Sequence, residues 1–256
     1  MSHHSSEHPV RRVLATAGAL VMISAAFLAT AKATPNPSPR PPVTVSINER
    51  FQTYPRLGAL DDGANFGPWH VVFDGVDHGR GVYVSKGRLR LIPQTSRGSQ
   101  DTNSTLVVSK SEFGSSALQL NATWTTQKTT RLGTANPWET GWLIWDYLDP
   151  DHFTYLVLKP NGWEVGRRDP SQPGTQRFIA DADVPVTPIG MKRTVTVSRV
   201  GDTTTITVDG VQLTTFTLPI AERHGAIGMY TEDAVVDWTH IQAFTPSVGA
   251  PSAAKP

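Results

Sequence analysis

Lys86-Gly87, Asn161-Gly162, Gly201-Asp202 and Asp209-Gly210 each stand between two short runs in which apolar and polar residues alternate. Such dipeptides tolerate the positive φ angles of tight turns, and alternation with period two marks a strand with one buried face. The pattern predicts hairpins, with residues 82–84 folding back as 89–91 and residues 194–199 folding back as 203–208. Further strands are predicted over 43–51, 69–73, 104–109, 117–126, 141–147, 153–159, 163–168, 211–217, 226–230 and 235–244. No segment shows a convincing helical period. About a dozen strands exceed an immunoglobulin-type domain, and no repeat supports a propeller, so the expectation is an all-β jelly-roll sandwich of two antiparallel sheets spanning residues 44–244. In such a sandwich the outer face of a curved sheet offers a groove for a long ligand.

The two ends read differently. Arg11 and Arg12 precede an apolar run from Val13 to Ala31, and Ala31-Lys32-Ala33 has the small-x-small form of a signal peptidase site. Residues 1–33 are therefore expected to be a signal peptide and the protein to be secreted or held at the cell surface. An uncleaved leader is the alternative, and the only membrane contact the sequence suggests. Residues 34–43 are half proline, an extended spacer, and residues 245–256 are small and polar, a disordered tail.

Composition removes several chemistries. The chain has 23 Lys and Arg against 22 Asp and Glu, a near balance that gives no footprint for nucleic acid. With no cysteine, disulfides, thiolate metal sites and a Cys nucleophile are excluded. No Gly-x-Ser-x-Gly elbow occurs, and no His pair or carboxylate loop has metal-ligand spacing. No cofactor is required by any motif.

The stretch from Pro137 to Asp169 holds four of the seven tryptophans among carboxylates and basic residues. That mixture suits sugars, whose apolar ring faces lie on indole while fixed polar groups take the hydroxyls. Strand parity puts Glu139, Leu143, Trp145 and Tyr147 on one face, with Trp142, Ile144 and Asp146 on the other. Packing of Leu156 and Leu158 leaves Tyr155 and Lys159 outward on the next strand, and packing of Val165 leaves Glu164 and Arg168 outward on the third. The expected sugar-facing set is Glu139, Trp145, Tyr155, Lys159, Glu164 and Arg168, with Trp138 at the rim. The competing reading has these aromatics filling the core and the charges forming a solvated face or cross-strand pairs. Asp146, Asp149 and Asp151 read as a hairpin turn, Asp181 and Asp183 as a loop, and Glu232 and Asp233 as acids closing a tight turn.

At these residues, and in Gln176-Arg177-Phe178 and GAIGMYTEDAVVDW (225–238), the sequence resembles bacterial exported domains of concanavalin A-like, or laminin G-like, fold. These are loosely related to family 16 glycoside hydrolases and to 3-keto-disaccharide hydrolase domains. The resemblance implies a concanavalin A-like sandwich that serves sugar binding, glycan hydrolysis or glycan lysis, and it allows a structural Ca²⁺ at Asp237. The Glu-x-Asp-x-Glu strand of family 16 hydrolases is absent. The leading expectation is an exported, lectin-like protein that binds an envelope or extracellular polysaccharide or oligosaccharide. One alternative is a glycan-cleaving enzyme in the same groove. It would be a hydrolase if Glu139 and Glu164 form a carboxylate pair, or a lyase if Lys159, Arg168 and Tyr155 surround a uronate. The other is a laminin G-like protein-interaction module.

Overall fold

The computed structural model describes residues 46–75, 81–98 and 101–246. The expected signal peptide, the proline-rich spacer and residues 247–256 of the expected tail lie outside the described residues. In chain order the strands are β1 Ser46–Glu49, β2 Leu57–Leu60, β3 Asn65–Phe66, β4 Trp69–Phe73, β5 Gly81–Ser85, β6 Arg88–Ile92, β7 Ser104–Phe113, β8 Ala117–Thr129 and β9 Gly141–Asp149. They continue as β10 His152–Lys159, β11 Gly162–Arg168, β12 Gln176–Ala182, β13 Lys192–Val200, β14 Thr203–Val208, β15 Val211–Thr217, β16 Gly225–Glu232 and β17 Ala234–Phe244.

Every pairing is antiparallel, and two sheets result. The first has nine strands in the order β15-β14-β13-β8-β17-β6-β5-β2, with β1 joined to β17 further along the edge that β6 occupies. The second has eight, in the order β12-β11-β10-β9-β16-β7-β4-β3. The hairpin turns follow the local chemistry. Lys86-Gly87 and Asp209-Gly210 hold φ of 50° and 78°, and of 50° and 83°, the doubly left-handed geometry that matches strand twist. Between β10 and β11 the turn falls one residue earlier than expected, at Pro160-Asn161, and Gly162 opens β11 at φ 133°. A Cβ there would stand 2.1 Å from the Ala182 carbonyl oxygen, so glycine is required for β12 to pair.

Alternate residues of both sheets meet in one core. Leu118, Leu120, Trp124, Val195, Val197 and Trp238 of the nine-stranded sheet face Trp69, Leu143, Trp145, Leu156, Val165 and Met229 of the other. Trp124 and Trp238 stack with centroids 4.7 Å apart. Each such buried ring removes some 150–250 Å² from water, worth about 4–6 kcal/mol by area, an upper figure.

Two features of the eight-stranded sheet shape its outer face. Its other face is apolar too, with Leu106, Val108, Trp142, Ile144, Phe153, Tyr155, Val157 and Tyr230 forming a second layer outside the sandwich. A solvated antiparallel face ordinarily alternates to polar residues, so this layer is unusual. In addition, Asp146 adopts φ 53° inside β9, where the register to both neighbours shifts. This bulge turns Asp146 inward, where Arg199 of β13 clasps both its oxygens, and returns Tyr147 to the outer layer. Asp146 is thus an inter-sheet ion-pair partner, not a turn residue, and Asp181 lies within β12, not in a loop.

Candidate functional site

Trp142 is the centre of the outer layer. Cross-strand register places Glu164, Val157, Trp142 and Tyr230 on one rung over β11, β10, β9 and β16. The Trp142 ring packs against Tyr155 at 4.8 Å and edge-on to Tyr230 at 5.3 Å, and its Nε1 donates to the Trp138 carbonyl oxygen at 2.8 Å. That bond ties the loop before β9 to the sheet and holds the Trp138 ring at the rim.

Each flanking tyrosine holds a glutamate. The Tyr155 hydroxyl donates to Glu164 Oε1 at 2.8 Å, and the Tyr230 hydroxyl donates to Glu232 Oε1 at 2.6 Å. Lys159 Nζ takes the other oxygen of Glu164 at 3.1 Å. Burial, reinforced by the neighbouring carboxylates, raises the pKa of both tyrosines, so both stay protonated donors. Burial also raises the Glu232 carboxyl above the usual range, against the opposing hydrogen bond from Tyr230. Gly166 makes the first arrangement possible, since a Cβ there would lie 2.2 Å from the Tyr155 hydroxyl oxygen.

Above this floor lies a cavity of about 400 Å³, lined by Pro137, Trp138, Trp142, Lys159, Asn161, Glu164, Gln176, Phe178 and Glu232. Trp138 is 44% exposed and Phe178 63%, so two aromatic rings stand open to a ligand beside fixed polar groups. A second cavity of about 450 Å³ shares Trp142, Gln176 and Glu232 and continues to Ser104, Phe153, Asp151 and Arg168. The two form one trough across the outer face.

The expected set divides on this geometry. Trp138, Lys159 and Glu164 line the first cavity, and Arg168 lines the second, where its Nε donates to Asp151 at 3.2 Å. Tyr155 points outward but lies fully buried beneath Trp142, reaching the trough only through Glu164.

Three expectations are corrected. Trp145 is sealed in the core between the sheets; strand parity grouped it correctly with Leu143, but that face looks inward, and Trp142 holds the groove. Glu139 lines neither cavity. The chain turns back over Asn136–Thr140, which ends strand parity before residue 139, and the buried carboxylate is held by Arg131 and Asn136. Glu139 and Glu164 therefore form no pair. Asp237 gives both oxygens to Arg90, at 2.5 and 2.6 Å, with Arg88 at 3.7 Å, so a guanidinium fills the place expected for calcium. Among the described residues no group of three or more His, Asp or Glu is placed to hold a metal ion.

Sequence reasoning passed over Trp142, Gln176, Phe178, Tyr230 and Glu232. Glu232 ends β16 with its side chain on the trough, and the turn belongs to Asp233 alone, at φ 42°. The available signal was parity, because residues 230 and 232 fall on the face opposite Met229.

No family model matches the sequence, and no curated protein matches it. Solved structures share the fold. The exoplasmic/lumenal domain of VIP36, in its Ca²⁺-bound form, superposes with a TM-score of 0.52 at 14% identity, over 80% of this chain and 92% of that one. The Bacillus licheniformis beta-glucanase gives 0.50 at 13% identity, over 78% and 98%. The carbohydrate binding module CBM66 from Bacillus subtilis gives 0.50 at 14% identity, over 70% and 96%. At these identities the likeness is one of fold, and the fold is a concanavalin A-like jelly-roll sandwich of two antiparallel sheets.

Proposed function

We propose that this is an exported, lectin-like carbohydrate-binding protein that recognises an envelope or extracellular polysaccharide in the trough of its eight-stranded sheet. The observation that carries this reading is the pair of open rings, Trp138 and Phe178, on a cavity whose polar groups are already fixed. Sugar rings stack on such aromatics, and preorganised acceptors take their hydroxyls with little further loss of entropy. A fold shared with a carbohydrate binding module and with a glucanase agrees with it. Export rests on the leader around Arg11, Arg12 and Ala31-Lys32-Ala33.

Binding without cleavage is favoured by two features. Both oxygens of Glu164 are already engaged, and the strands carrying Glu164 and Glu232 are three apart, about 14 Å between axes. On strands so spaced, the two glutamates offer contacts at two points along one ligand.

The test is retention of the protein on a panel of insoluble polysaccharides, with reducing ends assayed in the supernatant. Retention with no rise in reducing ends is expected. Steady release of sugar would overturn the non-catalytic reading, and no retention on any glycan would overturn carbohydrate binding.

A further inference from the structure

Five side chains of opposite charge types line the trough: Lys159 and Glu164 in the first cavity, Asp151 and Arg168 in the second, and Glu232 in both. Each cation already has a carboxylate partner, Lys159–Glu164 at 3.1 Å and Arg168–Asp151 at 3.2 Å. Glu232 is the carboxylate left over, so the lining carries one net negative charge at its middle once that group is ionised. Its one hydrogen bond among the described residues comes from Tyr230. A carboxylate offers about four acceptor positions and no donor, so Glu232 has acceptor capacity that a ligand hydroxyl or N–H can meet.

We propose that the trough selects uncharged glycans and rejects polyanionic ones, with Glu232 as the residue that fixes a ligand hydroxyl. This rests on the carbohydrate reading above and names the class of sugar within it. A uronate or sulfate entering here would meet an excess of carboxylate over cation, and would have to share Lys159 or Arg168 with the carboxylate each already faces. A neutral sugar meets no such obstacle. Its hydroxyls donate to Glu232, while the amides of Gln176 and Asn161, which line the same cavity, both donate and accept. A uronate lyase fits the trough poorly, because Tyr155 is fully buried and already donates its hydroxyl to Glu164.

The experiment uses the full chain and measures affinity at low salt. Uncharged probes are laminarin, mannan and levan; polyanionic probes are polygalacturonate, alginate and hyaluronan. Saturable binding to at least one uncharged probe is expected, with every polyanion at least about tenfold weaker. Glu232→Gln is expected to weaken the uncharged ligand by about fivefold or more, and to narrow the gap to the polyanions. A polyanion that binds as tightly as the best uncharged probe would overturn the proposal while leaving carbohydrate binding intact, and this comparison needs only the unmutated protein. Unchanged affinity in folded Glu232→Gln would overturn the role of Glu232. Failure of all six probes would count against carbohydrate binding itself, and the proposal would fall with it.

Discussion

Tyr155 donates its hydroxyl to Glu164 across 2.8 Å, and through that bond a ring with no exposed surface fixes a carboxylate on the trough wall. Removing only the hydroxyl separates positioning from packing. Tyr155→Phe keeps the 4.8 Å ring contact with Trp142 and frees Glu164 Oε1. The expected outcome is a stability loss of about 1 kcal/mol, read by denaturant unfolding, and a three- to tenfold loss of ligand affinity, read by calorimetry.

Trp145 and Trp138 make a contrasting pair. Trp145→Ala empties a fully enclosed site in the core and is expected to cost about 3–5 kcal/mol in urea unfolding. The fraction that stays folded is expected to bind ligand as the parent does, because no atom of Trp145 lines the trough.

Glu232 gives stability a pH dependence whose sign is fixed. Burial is the largest cause holding its carboxyl above the ordinary value of 4.5, and the nearby Asp233 charge adds to it. The folded protein therefore keeps a proton that the unfolded chain has released, so this contribution is complete below about 4.5 and is lost as pH rises through the elevated value. Melting temperatures measured over that interval should fall less steeply in Glu232→Gln than in the parent. Ligand affinity in the parent should move the other way, rising with pH as the carboxylate forms and accepts the ligand hydroxyl.

Asp237 and Arg90 bridge β17 and β6 through two charge-assisted bonds. Asp237→Ala leaves the guanidinium half-buried without its partner and is expected to cost about 2 kcal/mol. A double-mutant cycle of Asp237→Ala with Arg90→Ala in urea unfolding is expected to show a coupling of about 1–3 kcal/mol, and strictly additive losses would contradict the pairing of Asp237 with Arg90.

The sandwich was legible in the sequence because its turns are local. Lys86-Gly87 and Asp209-Gly210 carry their backbone geometry in their own residue types, and β5, β6 and β14 beside them alternate. The site was less so, for three physical reasons. Parity sorts Trp142 from Trp145 but cannot say which face is interior when both faces of a sheet are apolar, as here. The bulge at Asp146 depends on Arg199, 53 residues away, and nothing near Asp146 announces it. Finally, β12 alternates only weakly, since it is an edge strand with mostly half-exposed side chains, so Phe178 gave no period to read.

The most direct measurement is calorimetric titration of an uncharged polysaccharide into the parent protein and into the double variant Trp138→Ala/Phe178→Ala. Both rings are open to solvent, so the variant should keep the parent's melting temperature to within a few degrees. Saturable binding by the parent, weakened at least about tenfold in the variant, is the result expected if the trough is the sugar site. Binding that survives undiminished without the two rings would contradict it.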